Sequence, residues 1–111
     1  MAVISTQSKN PASVVNIAVG SYLDTGTAAA FDITTGFKPR YVKVVNTNAS
    51  GLVMIEWFEG MSDANAVKTA SNGDRTTITT LGITPLAKGF TIGLDTDLNA
   101  DNEQIEWLAI G

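Results

Sequence analysis

Apolar and polar residues alternate with a period of two in several short stretches of this chain. In the stretch 13–19, for example, Val15, Ile17 and Val19 fall on one face of an extended strand. The stretches that this pattern predicts to be strands are 13–19, 28–33, 41–47, 52–58, 75–81, 89–94 and 104–110. Since no long stretch has the 3.6-residue period of an amphipathic helix, we expect an all-β fold, an antiparallel β-sandwich or jelly roll, with a small barrel as the alternative.

Turn-forming residues separate the predicted strands and suggest the domain organisation. The stretch NASG (48–51) predicts a hairpin between 41–47 and 52–58. The polar segment 61–74 ends in SNGD, which favours a turn, and it is compatible with one short helical turn. Residues 1–12 are polar and irregular, so we expect an extended N-terminal arm followed by a single β-sandwich domain at 13–111.

Composition and charge narrow the classes of function. Only 16% of the residues are charged, against roughly 25% in an average soluble domain. This favours a surface partly covered by another subunit, and the alternative is a well-packed monomer. The net charge of −4 argues against nucleic acid as a partner, because phosphate backbones are bound by clustered Lys and Arg. No stretch reaches the ~18 apolar residues of a membrane span, so no membrane partner is expected.

The chain contains no Cys and no His. This excludes disulfides, thiolate nucleophiles, Cys/His zinc sites and His-dependent catalytic triads. We expect no catalytic residues and a protein that is not an enzyme.

The tripeptide Ile-Glu-Trp occurs twice, at 55–57 and at 105–107. Strand alternation places each Ile and Trp on one face and each Glu on the other. We expect Ile55, Trp57, Ile105 and Trp107 to share a buried layer. The alternative is that one Trp is an exposed anchor at an interface. The residues predicted to form such an interface are Val3, Ile4, Trp57 and Phe58.

Two short motifs suggest other chemistry. Asp24-Thr25-Gly26 is similar to the catalytic turn of aspartic proteases, but it is also an ordinary turn sequence between strands. In the stretch 95–106, acidic and amide residues follow the spacing of an EF-hand calcium loop. The candidate calcium ligands are Asp95, Asp97, Asn99, Glu103 and Glu106, with Asp95, Asp97 and Asp101 as an alternative set.

The calcium spacing departs from the EF-hand pattern in two places. Ala100 stands where the sharp turn needs Gly, and the polar Asn102 stands where an apolar residue belongs. The preferred interpretation is a solvated loop, with no cofactor and no metal. Calcium bound by Asp95, Asp97, Asn99 and Glu106 is the less favoured hypothesis.

From Gly36 onward the chain resembles a known group of proteins. The phrases GFKPRYVKVVN, IEWFEGM, TTITTLGITPLAKGFTIGLDTDLN and EQIEWLAIG are similar to those of small tailed-phage virion structural proteins, including capsid decoration or cement proteins. The resemblance implies an all-β body and a structural role on a virus particle. The expected partners are the major capsid protein or another virion protein and further copies of the chain, with a homotrimer favoured, on the capsid exterior. A tail, neck or fibre component and a carbohydrate-binding β-sandwich module are the alternatives.

Overall fold

Every regular element of the described structure is a β-strand. The computed structural model describes residues 15–23, 29–47, 52–95, 97–98 and 103–111, and none of their elements is a helix that could cross a membrane. The eight strands are β1 Ile17–Leu23, β2 Phe31–Thr34, β3 Tyr41–Asn46, β4 Val53–Phe58, β5 Asn65–Thr69, β6 Arg75–Leu86, β7 Gly89–Ile92 and β8 Gln104–Ile110. All pairings between them are antiparallel, which confirms the predicted all-β antiparallel class.

The strands hydrogen-bond in the order β1-β8-β3-β4-β5-β6-β7-β2, as one curled sheet. The curl brings the two ends of this order together, since the rings of Tyr22 on β1 and Phe31 on β2 lie 4.8 Å apart. Phe90 on β7 meets Trp107 on β8 edge-to-face, with ring centroids 5.6 Å apart. The two halves of the sheet therefore face each other across a shared interior, as the layers of a sandwich do.

The core consists of the inward-facing residues of the two halves. On β3 and β4 the buried positions alternate with less buried ones, which is the predicted period of two. The buried apolar residues are Ile33, Val42, Val44, Val53, Ile55, Trp57, Ala66, Ile83, Phe90, Ile92, Leu98, Ile105 and Ala109.

The predicted hairpin is present, and one strand was not predicted. β3 and β4 pair from Tyr41 with Phe58 to Asn46 with Val53. β5 lies in the polar segment where a helical turn was considered, and that expectation is wrong. β5 is a strand because it pairs with β4 on one side and β6 on the other, and it buries Ala66 completely.

A register shift bends the long strand β6. Asn65 of β5 pairs with Ile83, but the next residue, Ala66, pairs with Ile78. Between these partners Leu81 has a left-handed φ of 63°, and a Cβ on Gly82 would clash with the Asn65 carbonyl oxygen. The bend lets the first part of β6 pair with β5 and the last part with β7.

The two Ile-Glu-Trp copies lie on β4 and β8, which are separated by β3. Ile55, Trp57 and Ile105 are buried as expected, whereas Trp107 is half-buried. Val44 of β3 connects the two copies, because it pairs with Ile55 on one side and Trp107 on the other.

Candidate functional site

The outward surface of β1, β8, β3 and β4 is unusually apolar. The register aligns its side chains in three rows that each cross all four strands. The first row is Ile17, Ile110, Tyr41 and Phe58. The second row is Val19, Leu108, Lys43 and Glu56. The third row is Ser21, Glu106, Val45 and Met54. We call these twelve residues the outer face.

Three apolar side chains of the outer face are largely exposed, and its other apolar side chains are half-buried. Val19 is 72% exposed, Ile17 is 60% exposed and Phe58 is 50% exposed. Antiparallel sheets with one solvated face usually carry polar residues there. Eight of the twelve positions here hold an apolar or aromatic side chain, so the face has the character of a protein-binding surface.

The rings of Tyr41 and Phe58 form the aromatic end of the outer face. Their centroids are 5.2 Å apart, and the Tyr41 hydroxyl donates to the Glu56 carboxylate at 2.6 Å. Burial of the hydroxyl, its hydrogen bond to Glu56 and the negative charge of Glu56 together raise the pKa of Tyr41 from 10.0 to about 12. The phenol therefore stays neutral and fixed over the strand pair at physiological pH.

Few charges interrupt the outer face. Lys43 lies directly opposite Glu56 in the register of β3 and β4. Beside it lies a shallow depression of about 150 Å³, which is lined by Lys43, Val45, Glu106, Trp107 and Leu108. A depression of that size is small for a ligand site, which typically measures ~300–1,000 Å³. Contact with a protein surface fits this geometry better than capture of a small molecule.

The predicted interface residues differ in whether their side chains reach the surface. Phe58 lies exposed on the outer face, and its role in an interface stays a prediction. Trp57 is only 2% exposed, and its indole nitrogen donates to the Ser62 carbonyl oxygen at 3.3 Å. The core interpretation therefore applies to Trp57, and its side chain does not reach the surface. Val3 and Ile4 lie outside the described residues.

Sequence reasoning missed most of the outer face. The signal was present in stretches where both alternating phases are apolar, as in YVKVV (41–45) and WLAI (107–110). One set of alternate residues faces the core, and the other set faces outward and remains apolar.

A lysine side chain lies between two of the candidate calcium ligands. The Lys68 ammonium nitrogen is 2.8 Å from a carboxylate oxygen of Asp95 and 2.8 Å from one of Asp97. Burial lowers the pKa of Lys68, but the hydrogen bonds to Asp95 and Asp97 and their charges outweigh it, so the pKa is raised. The two carboxylates are thus already paired with a cation supplied by β5.

Among the described candidate ligands, Glu106 does not join this pair. Glu106 lies on the outer face, in register with Ser21 and Val45. Asn99 and Asp101 are outside the described residues. Within the described ranges, no group of three or more acidic side chains is arranged to hold a metal ion. Calcium binding stays a hypothesis.

The acidic segment is also attached to the core by two buried residues. Leu98 is completely buried among the core side chains. Asn46 on β3, also fully buried, donates to the Asp97 carbonyl oxygen at 2.8 Å and to a Glu103 carboxylate oxygen at 2.6 Å. Asp97, Leu98 and Glu103 therefore close one end of the sheet interior.

The triplet Asp24-Thr25-Gly26 falls outside the described residues, so the protease-like turn stays a prediction. In comparisons with known proteins, the chain matches no protein family, no curated protein and no solved structure.

Proposed function

We propose that this protein is a non-enzymatic structural component of a bacteriophage particle. It decorates or cements the capsid through protein contacts made by the outer face. The observation that carries the proposal is the row Ile17, Ile110, Tyr41 and Phe58, an uninterrupted apolar and aromatic line across four strands. The phage part of the proposal rests on the resemblance of residues 36–111 to small virion proteins.

The physical character of the outer face supports docking onto protein. Aromatic and large apolar side chains dominate the buried centres of protein interfaces, whereas charged residues are depleted there. Tyr41 and Phe58 offer rigid aromatic surface, and the hydrogen bond to Glu56 fixes the Tyr41 ring before a partner arrives. A prearranged anchor loses little conformational entropy on binding.

Repetition on a symmetric particle strengthens such docking. A decoration protein binds many identical sites, so a modest affinity at each one is enough when copies are linked. The low charge content and the net charge of −4 fit a protein that adheres to a protein shell and avoids nucleic acid.

The test is binding of the purified protein to separated heads and tails of the source phage, measured by co-sedimentation and electron microscopy. Phe58→Lys and Val45→Lys place charges in the outer face and are expected to abolish binding to heads. Thr79→Lys, on the exposed part of β6, is the matched control and is expected to bind like the wild type.

Each outcome of this test is decisive. Binding to tails alone would replace capsid decoration by a tail or fibre role. Equal binding by Phe58→Lys, Val45→Lys and Thr79→Lys would remove the outer face from the mechanism. Retention of wild-type circular dichroism in the variants shows that loss of binding is not loss of folding.

A further inference from the structure

Strand β1 presents a free edge with backbone groups directed away from the sheet. Its only described partner strand is β8. The Gly111 amide donates to the Asn16 carbonyl oxygen at 2.8 Å, so Asn16 and Gly111 form a hydrogen-bonded pair between β1 and β8. Even-numbered residues of β1 use their N–H and C=O groups toward β8, so the N–H and C=O groups of Ile17, Val19 and Ser21 point to the free edge.

This edge lacks the features that usually prevent edge-to-edge pairing. Natural edge strands are typically short, or carry a charged residue, a proline or a bulge. β1 is seven residues long, and the stretch 15–23 contains no charged residue and no proline. The opposite edge, β2, has only four residues and carries Asp32.

The side chains along the β1 edge are apolar and exposed. Val15 is 68% exposed, Ile17 is 60%, Val19 is 72% and Leu23 is 55%. With Ser21 they occupy every second position from 15 to 23, and these positions are symmetric about Val19. An antiparallel second copy of β1 centred on Val19 would therefore meet this edge over its whole length without placing a charged residue opposite it.

We propose that a second copy of this chain pairs along the β1 edge, antiparallel, with Val19 opposite Val19 of the other copy. Ile17 then lies opposite Ser21, and Val15 lies opposite Leu23. The central pair and the two flanking pairs each exchange two backbone hydrogen bonds. Because the stretch 15–23 is uncharged, no like charges lie opposite each other along this seam.

The symmetry of this pairing has a structural consequence. Its two-fold axis is perpendicular to the sheet, so the same patch is used on both copies and the contact closes at a dimer. This differs from the trimer favoured on sequence grounds. The outer faces of the two copies lie on the same side and join across β1, which doubles the continuous apolar surface. The pairing stands apart from the proposed function, since it needs no particle.

Cysteine cross-linking tests the register directly, because the chain has no Cys of its own. Val19→Cys is expected to form a disulfide-linked dimer on mild oxidation. Opposite hydrogen-bonded residues have Cα atoms about 5.5 Å apart, within the ~4.4–6.8 Å range of disulfides. A mixture of Ile17→Cys and Ser21→Cys should cross-link to each other faster than either does to itself. Thr79→Cys, exposed on β6, is the control.

Light scattering after size-exclusion chromatography tests the pairing without cysteine. The wild type is expected at twice the chain mass of 11.7 kDa. Val19→Lys places two ammonium groups opposite each other and should raise the dimer dissociation constant by at least roughly tenfold, whereas Thr80→Lys should leave it unchanged. A wild-type mass of one or three chains, or equal cross-linking of Val19→Cys and Thr79→Cys, would overturn the proposal. Failure to bind phage heads would leave it intact.

Discussion

The side-chain amide of Asn46 donates to the carboxylate of Glu103 across 2.6 Å. Asn46 is completely buried, and its second donated hydrogen bond goes to the Asp97 carbonyl oxygen. Asn46 thus links β3 to both Asp97 and Glu103 at one end of the sheet interior. Because a buried polar group without a partner is costly, the pair should contribute measurably to stability.

Replacement of Asn46 tests this closure. Asn46→Ala removes the hydrogen bonds to Asp97 and Glu103 and is expected to lower the free energy of unfolding by about 1–3 kcal/mol. Asn46→Asp should be worse at pH 7, since a second carboxylate would then face Glu103. That extra loss should shrink toward pH 4, where carboxyl groups take up protons. Urea unfolding at both pH values measures the effect, and an Asn46→Asp variant as stable as wild type at pH 7 would contradict it.

Removal of the Lys68 charge should leave the carboxylates of Asp95 and Asp97 without a cationic partner. The Lys68 and Asp95 side chains are only 16% and 12% exposed, so Lys68→Met is expected to cost about 1–3 kcal/mol at neutral pH. The raised pKa of Lys68 gives the sign of the pH dependence: its stabilisation is fully present below pH 10.5 and is lost as pH rises through the higher folded-state value. Urea unfolding of Lys68→Met against the exposed-site control Lys88→Met separates this from a general effect of charge.

Calcium should not change the stability of the wild type. Asp95 and Asp97 are hydrogen-bonded to Lys68, and a calcium ion would have to displace that ammonium group. We expect the same melting temperature in excess chelator and in millimolar calcium. A ligand that binds only the folded state raises the melting temperature, so an increase of several degrees would instead support the calcium-loop hypothesis.

The sequence was sufficient to predict the strands whose inward-facing residues are apolar. β3, β4, β7 and β8 each carry that pattern, and the hairpin between β3 and β4 could be predicted from its turn. β5 could not be predicted, because Asn65–Thr69 has only two apolar residues and becomes a strand through pairing on both sides. Its strand state is a tertiary effect rather than a local preference.

The candidate site was less accessible to sequence reasoning than the fold. Phe58 could be predicted as an interface residue from the sequence. Its neighbours in the row are Ile17, Ile110 and Tyr41, which lie on three other strands that are adjacent in the sheet but not consecutive in the sequence. β8 lies between β1 and β3, so the row exists only after long-range pairing. In the acidic stretch, the spacing of Asp95 and Asp97 suggested a metal, while their partner Lys68 lay far upstream on an unpredicted strand.

Tyr41 should titrate at higher pH than an ordinary tyrosine. The chain has two tyrosines, and we expect Tyr41 to ionise at about 12 against a normal value of 10.0. Since the folded-state pKa is the higher one, the contribution of Tyr41 to stability is fully present below pH 10 and falls between pH 10 and about 12. Ultraviolet absorbance titration should lose its high-pH component in Tyr41→Phe. In Glu56→Gln the component should move to lower pH, and an unmoved component would show that Glu56 does not raise the pKa.

A side chain at Gly20 should separate β1 from β8. Gly20 pairs with Trp107, and a Cβ at residue 20 would lie 2.6 Å from the indole ring. That ring also contacts Phe90, so it cannot move away without disturbing the interior. Overpacking of this kind typically costs about 1–3 kcal/mol, and Gly20→Val is expected to lose that much stability in urea and to change the near-ultraviolet circular dichroism of tryptophan.

Gly60→Ala is the matched control, because a Cβ there meets nothing within 4 Å, and it should stay within about 0.5 kcal/mol of wild type. If Gly20→Val were as stable as Gly60→Ala, the close approach of Trp107 to β1 would be wrong.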